Sequence, residues 1–145
     1  MASKATGGVQ VVRGVGLKAP WHLWLVGGVS LLFNSIGAFD YLMTRRHDAA
    51  YFEHYPVLPA AFWTVGVFGA VAASVLLLSR SRYTVPIALA ALCAQAGLDI
   101  ISFGFMGRLS VFGVRQSLFD ILVPLGLAAV LSRYALVMSR RGVLR

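Results

Sequence analysis

Three of the five acidic residues in this chain of 145 residues lie inside or beside long apolar segments: Asp40, Asp99 and Asp120. A carboxylate at membrane depth is costly, so each needs a positive partner, a proton or a water-filled cavity. Carboxylates in such positions typically mark ion pathways, proton relays or ligand counter-ions. The three aspartates therefore predict a functional site, although they do not by themselves define an activity.

Polar side chains accompany these acids at helical spacing. Gln95 and Ser102 share the face of Asp99 at positions i−4 and i+3, and Asn34 belongs to a polar stripe of the first apolar segment. Together they predict a polar cavity that opens to the outer side of a membrane, with Asn34, Gln95 and Asp99 as its floor. Such a cavity could bind a cation, a proton or a small polyhydroxylated solute. In the structural alternative, Asp99 bonds to Asn34 or Arg108.

For Asp40 and Asp120 a structural role is the main alternative. Both lie near the outer ends of their segments, where acids lose little hydration. They could hold helix ends together by pairing with arginines at the outer rim, which are Arg45, Arg46 and Arg115.

Two histidines, His47 and His54, lie in the loop between the first two apolar segments, with two carboxylates between them. This composition offers ligands for zinc or copper. Residues seven apart on a helix are about 10 Å apart along its axis, however, which is too far for one ion. The pattern favours an aromatic, amphipathic segment on the membrane surface, and we predict no metal and no cofactor. No catalytic motif is present either, so an enzyme is not predicted.

The composition indicates a membrane protein. Hydrophobic residues make up 59% of the chain and charged residues 12%, with a mean hydropathy of +0.79, whereas a soluble domain carries about 25% charged residues. A spanning helix needs about 20 apolar residues, and four segments reach that length: about 21–44, 59–79, 84–106 and 116–138. We therefore predict an all-α, up-down bundle of four transmembrane helices over 20–139. A basic flexible or interfacial tail (1–19) precedes it, and a basic cytoplasmic tail (140–145) follows it.

The distribution of basic residues predicts the orientation. Nine lysines and arginines fall on the side of the two termini and the second connection, and four fall on the other side. By the positive-inside rule both termini lie in the cytoplasm. The net charge of +8 then reflects membrane anchoring, because binding to nucleic acid would need a basic face interleaved with aromatic residues.

Small residues predict how the helices pack. Four of them recur at helical spacing in the second segment, where they allow close approach of a neighbouring backbone: Gly66, Gly69, Ala70 and Ala73. Pro124 should kink the fourth segment and free a backbone carbonyl group near Asp120. The one cysteine, Cys93, cannot form an internal disulfide, and we predict a small packing residue buried in the third segment.

Several runs in the first half of the chain resemble a known family. They are PWHLW (20–24), LLFN (31–34), GAFDY (37–41), GVFGA (66–70) and LLLSRS (76–81). They are similar to runs in a family of small four-span membrane proteins common in alphaproteobacteria, some of which carry the label "sugar transporter". The resemblance implies a multi-pass protein of the bacterial inner membrane. It covers the first two segments well, and Asp99 lies outside it.

Two functional hypotheses follow. In the first, the protein is a transporter of a small polar solute or cation; four spans are few for a carrier, so this requires a homodimer or larger assembly, with Asp99 facing a hydrated cavity or the dimer axis. In the second, it is a non-catalytic accessory subunit of a larger membrane complex. That hypothesis predicts that the small-residue face of the second segment is exposed, ready for a partner helix.

Overall fold

The chain forms four α-helices in the part that the computed structural model describes, residues 19–47, 56–105 and 113–145. They are α1 (Trp21–His47), α2 (Val57–Leu78), α3 (Thr84–Gly104) and α4 (Val114–Arg140). Each is long and apolar enough to cross a membrane. The predicted all-α class with four apolar helices is confirmed, while insertion into a membrane and the side on which the termini lie stay predictions.

The helix ends follow local chemistry. Helix α1 runs three residues beyond its predicted end, to His47. Helix α2 begins directly after Pro56, whose φ of −56° already suits a helix. Helices α2 and α4 both end before a residue with left-handed backbone, Arg80 (φ 60°) and Gly142 (φ 69°). A left-handed residue after the last turn commonly ends a helix, because it lets the following N–H groups bond back to the last carbonyl groups of the helix.

Neighbouring helices are antiparallel. Between α1 and α2, Asn34 contacts Ser74 and Tyr41 contacts Thr64, so residue numbers rise in one helix as they fall in the other. The bundle thus has two ends. The end that holds Trp21, residues 79–83 and Arg140 is called the turn end. The loop end holds His47, Val57, Gly104 and Val114.

Helices α2 and α3 form the closest pair in the bundle. A Cβ added at Gly69 would stand 3.1 Å from the Cβ of Ala91, and one added at Gly66 would stand 3.4 Å from Oε1 of Gln95. Ala70 and Ala73 are buried as well. The small-residue face of α2 is therefore covered by α3 and by the core, and it is not exposed for a partner helix.

The apolar core lies at the turn end. It joins residues of all four helices and of the segment after α4: Leu23, Ala73, Leu77, Ala88, Leu131, Met138, Val143 and Leu144. Here α1 also meets α4, through a hydrogen bond of 2.5 Å between His22 Nδ1 and the Tyr134 hydroxyl. Residues 140–145, predicted as a tail, thus begin with the last residue of α4 and then fold back against the bundle.

Much of the remaining apolar surface is exposed, as expected of helices that face lipid. Helix α1 is the extreme case, since 11% of the residues in its most apolar stretch are buried, against 28% in α2 and α3. Cys93 is also exposed on α3. Our prediction that it is a buried packing residue is wrong, because it lies on the side of α3 that neither neighbouring helix covers.

Candidate functional site

Asp99 lies in the last part of α3, half-buried, with the amide of Gln95 beside it. Nε2 of Gln95 donates a hydrogen bond of 3.2 Å to Oδ1 of Asp99, and Oδ2 of Asp99 is buried too. Helix α3 continues to Gly104, so the carboxylate stands about 7.5 Å inside the end of the helix. The spacing of four residues sets this contact, because side chains at i and i+4 lie one above the other on a helix.

The side of α3 that carries Asp99 faces α4. Oγ of Ser132 on α4 donates a hydrogen bond of 3.1 Å to the carbonyl oxygen of Ala88 on α3. Asp99 follows Ala88 by eleven residues, and eleven residues complete about three helical turns. It therefore returns to the same side of α3. Helix α4 is antiparallel to α3, so the same distance along it leads from Ser132 back to Ile121. By this register, the backbone of the adjacent Asp120 is expected at about the level of Asp99.

Two buried serine hydroxyls lie in the same region. Ser102 and Ser117 are 3% and 0% exposed, and the Oγ atom of each has no hydrogen-bond partner among the described residues. Ser102 follows Asp99 by three residues. The register of the Ser132–Ala88 bond places Ser117 at the level of residue 103 (132 − 117 = 15 and 88 + 15 = 103). Both hydroxyls are thus within about one helical turn of Asp99 in height.

Ser117 was absent from the sequence-based site. It lies three residues before Asp120, which is the spacing between Asp99 and Ser102. This matching pattern of serine and aspartate on two helices is the signal that could have identified it.

Gln95 connects this region to α2. Its Oε1 atom lies over Gly66, where a β-carbon would come within 3.4 Å of it. An alanine β-carbon would just touch the amide there, and a longer side chain would displace it. The glycine that permits close helix packing therefore also makes room for a polar side chain at the α2–α3 interface.

Asn34 is bound elsewhere. Its Nδ2 atom donates to Oγ of Ser74 at 3.1 Å and lies 3.4 Å from the carbonyl oxygen of Ala70, and Ser74 itself donates to Ala70 at 2.8 Å. These contacts join α1 to α2 at Ala70 and Ser74. Ser74 is eight residues from Gly66, about 12 Å along the helix. The structure does not bring Asn34 together with Gln95 and Asp99.

Asp40 is exposed on α1 and has no ion pair among the described residues. The adjacent Tyr41 is buried and carries the polar contacts of this part of α1. Arg45 donates to the hydroxyl of Tyr41 at 3.1 Å, Tyr41 bonds to Oγ1 of Thr64 at 2.6 Å, and Thr64 donates to Ala60 at 2.8 Å. This chain of hydrogen bonds fastens α1 to α2 near the loop end.

Asp120 lies in the first third of α4, and its backbone is the part that can be described. Helix α4 continues through Pro124. Because proline has no N–H, the carbonyl group of Asp120 lacks the hydrogen bond that residue 124 would otherwise donate. The carbonyl oxygen of Asp120 therefore has spare capacity to accept a hydrogen bond or to bind a cation.

The predicted metal ligands fall largely outside the described residues. His54 is not among them, and of His47 only the backbone, the last residue of α1, is described. Within the ranges that the structure covers, no three His, Cys, Asp or Glu side chains form a group that could hold a metal ion.

The chemistry available at the loop end is that of oxygen ligands. By the register of the Ser132–Ala88 bond, a carboxylate, an amide, two hydroxyls and a backbone carbonyl are expected at similar heights on α3 and α4. Hard cations bind oxygen ligands of this mixture, and interrupted backbone at membrane depth coordinates ions in transporters.

Comparisons of the chain with protein-family models, with curated proteins and with solved structures gave no match. The resemblance to the small bacterial four-span family therefore stays a prediction.

Proposed function

We propose that the protein binds a small cation at the loop end of the bundle and carries it across the bacterial inner membrane, with Asp99 as the charged ligand. The observation that carries this proposal is that the hydroxyls of Ser102 and Ser117 are buried without a partner among the described residues; the register of the Ser132–Ala88 bond supports a location near Asp99. A buried polar group without a partner costs about 1–3 kcal/mol. Two such groups beside a half-buried carboxylate are best explained by a ligand that they share.

The ligand set favours a cation over other occupants. The hydroxyl oxygens of Ser102 and Ser117 and the carbonyl oxygen of Asp120 are neutral, so Asp99 supplies the negative charge in this set. That suits a monovalent ion or a proton. A small polar solute would meet the same groups through its own hydroxyls, and the transport assay below distinguishes it from an inorganic ion.

Transport by four spans requires an assembly of more than one copy. The most exposed helix is α1, and its outer surface carries Asp40 together with large apolar side chains such as Ile36 and Phe39, which are 60% and 61% exposed. We propose that this surface is where two copies meet. A homodimer would double the number of spans and cover the exposed apolar side chains of this surface.

The proposal is tested with Asp99→Asn, which keeps the size of the side chain and removes its charge. Purified protein in liposomes is given an inward gradient of Na+ or of protons, and flux is followed with an ion-sensitive dye inside the vesicles. We expect flux with the unmodified protein and none with Asp99→Asn, because the neutral amide no longer compensates the charge of the ion. Asp40→Asn makes the same chemical change outside the binding site and is the matched control. Each copy of this variant should keep the cation site, whether or not two copies still associate.

Cation binding is measured separately in detergent, as the rise in unfolding temperature when NaCl replaces choline chloride. The rise should occur in the unmodified protein and in Asp40→Asn and be absent in Asp99→Asn. Unchanged flux and an unchanged temperature rise in Asp99→Asn would remove Asp99 from the mechanism. Flux of a neutral sugar without ion flux would replace the cation by a polar solute.

A second candidate function, an accessory subunit of a larger membrane complex, is favoured by the same exposed surface of α1. The small-residue face of α2 plays no part in it, because α3 covers that face. If the protein is an accessory subunit, purification in a mild detergent should yield one additional membrane protein in fixed stoichiometry. Recovery of the chain as a monomer or homo-oligomer, together with ion flux, would decide for the transporter.

A further inference from the structure

The segment after α4 supplies the part of the apolar core that does not belong to a helix. Val143 and Leu144 are 4% and 8% exposed and pack in the cluster at the turn end, to which all four helices contribute. The other members of that cluster lie on helices, where backbone hydrogen bonds hold them. Residues 142–145 are called the strap, and they are the part of the seal that can move without a helix.

The strap turns away from α4 at Gly142. This residue has a left-handed backbone (φ 69°). Its N–H and that of Val143 bond back to the carbonyl groups of Ser139 (2.9 Å) and Met138 (3.0 Å), so α4 is closed before the strap enters the core. A β-carbon added at Gly142 would meet no atom within 4 Å. The glycine therefore serves the backbone angle, and a swing of the strap about it leaves the hydrogen bonds inside α4 intact.

The far end of the strap is bonded to the turn between α2 and α3. The N–H of Arg145 donates to the Arg80 carbonyl (2.7 Å), and the main-chain oxygen of Arg145 accepts from the N–H of Arg82 (2.6 Å). These two bonds straddle Ser81 in the pattern of paired parallel strands. Nε of Arg80 also donates to the carbonyl of Val143 at 3.2 Å. These hydrogen bonds fasten the strap to the turn.

The same bonds hold Arg80 in a conformation that arginine rarely adopts. Its φ is 60°, and it is the one non-glycine residue with positive φ in the described part of the chain. Glycine usually takes this position after a helix, because a side chain is strained there. Strained backbone persists where surrounding contacts hold it, and it is common in segments that switch between two arrangements. Release of the strap would remove such contacts and let the turn relax.

We propose that the strap is a gate, which seals the turn end when it is bound to the turn and opens that end when it is released. This inference rests on the proposed function. A transported cation must leave the bundle at the end opposite to its entry, whereas the described turn end is sealed by the core. The strap is the member of that seal whose displacement leaves all four helices in place.

Buried hydroxyl groups mark the route that the gate would open. Four of the five buried polar side chains among the described residues lie on α3 and α4: Thr84, Ser102, Ser117 and Ser132. Ser132 bonds to α3 one helical turn from Thr84, at Ala88. Thr84 donates to the carbonyl of Ser81 at 2.7 Å, and Ser81 is the residue that the strap brackets. The row of hydroxyls therefore runs from the level of the cation site to the strap.

Release of the strap is measured by the labelling of a cysteine placed in it. Val143→Cys is made in a Cys93→Ser background, and its reaction with a water-soluble maleimide in detergent is compared with that of the same variant unfolded in SDS. Ser132→Cys is the matched control, because it is nearly isosteric and equally buried, at 3% against 4% exposure, but lies inside α4. We expect Val143→Cys to react at least about tenfold faster, since the strap opens while the helices stay folded.

The gate itself is tested by locking the strap. Ser81→Cys with Arg145→Cys, in the same background, places two cysteines at the paired positions, where the spacing of neighbouring strands, about 4.8 Å, suits a disulfide. Oxidation should lower cation flux into liposomes at least about tenfold, and reduction should restore it. The rise in unfolding temperature with NaCl should persist in both states. Arg145→Cys alone is the control, and its flux should respond to neither treatment.

The outcomes separate this proposal from the proposed function. Equal labelling of the two buried cysteines would overturn the gate, and so would flux that oxidation of the paired cysteines leaves unchanged. Failure of those cysteines to form a disulfide would contradict the contact on which the strap depends. In each of these cases the response to NaCl would still support the cation site. Absence of both flux and that response in the unmodified protein would reject the cation site, and the gating role with it.

Discussion

At the scale of single residues, the serines of the bundle fall into two groups. Ser74 and Ser132 donate to backbone carbonyl groups, at 2.8 and 3.1 Å. Bonding to the carbonyl four residues earlier, as Ser74 does, is the usual solution for a hydroxyl in an apolar helix. Ser102 and Ser117 are equally buried and make no such bond among the described residues. In the proposed function, Ser74 and Ser132 fasten helices, whereas Ser102 and Ser117 bind the ligand.

Replacing Ser117 tests this distinction. In Ser117→Ala we expect the free energy of unfolding to stay the same or to rise by up to about 1 kcal/mol, because a buried hydroxyl without a protein partner is removed. The rise in unfolding temperature produced by NaCl should become smaller in the same variant. Both quantities can be measured by thermal or denaturant unfolding in detergent.

Ser74→Ala is the matched control. It removes a hydroxyl that accepts from Asn34 and donates to Ala70, so unfolding should become easier by about 0.6–1.7 kcal/mol, the range for interhelical hydrogen bonds in membranes. Its response to NaCl should be unchanged. A loss of stability in Ser117→Ala equal to that in Ser74→Ala would show that the hydroxyl of Ser117 is structural.

At the scale of helices, the contact between α2 and α3 is the element that positions the site. Gly69 brings the two backbones together at Ala91, and Gly66 makes the space that Gln95 occupies one turn further towards the loop end. Gln95 in turn donates to Asp99. Close helix packing therefore determines where the carboxylate of α3 stands.

Gly69→Leu should separate these helices. The new side chain has no room beside Ala91, and overpacking of this kind costs about 1–3 kcal/mol, which would appear in the free energy of unfolding. Because α3 must shift, cation binding should weaken as well.

Gly126→Leu on α4 makes the same chemical change where a new β-carbon meets no atom within 4 Å. It should alter neither the stability nor the binding by a comparable amount. If Gly126→Leu were as damaging as Gly69→Leu, the effect would come from the loss of glycine and not from helix contact.

At the scale of the whole molecule, the two ends of the bundle differ. The turn end is sealed by an apolar core to which all four helices and residues 143–144 contribute. Towards the loop end, Tyr41 and Thr64 form a polar contact between α1 and α2, and Gln95 bonds to Asp99 within α3. A bundle sealed at one end and polar at the other suits a site that is reached from one side of the membrane.

The sequence by itself determined the class and the helices. Long apolar segments can satisfy their backbone groups in a membrane only as helices, so their number and approximate bounds follow from length and hydropathy. Helical spacing likewise predicted that Gln95 lies beside Asp99, because contacts at i and i+4 depend on one helix alone.

Only the tertiary structure decided what happens between helices. Asn34 binds Ser74 instead of joining Gln95, Ser132 of α4 binds the carbonyl group of Ala88 on α3, and the residues after α4 fold back onto the Arg80 turn. These relations depend on the rotation and vertical register of one helix against the next. Helical spacing does not specify them, because every face of an apolar helix can meet either lipid or a neighbouring helix at similar cost.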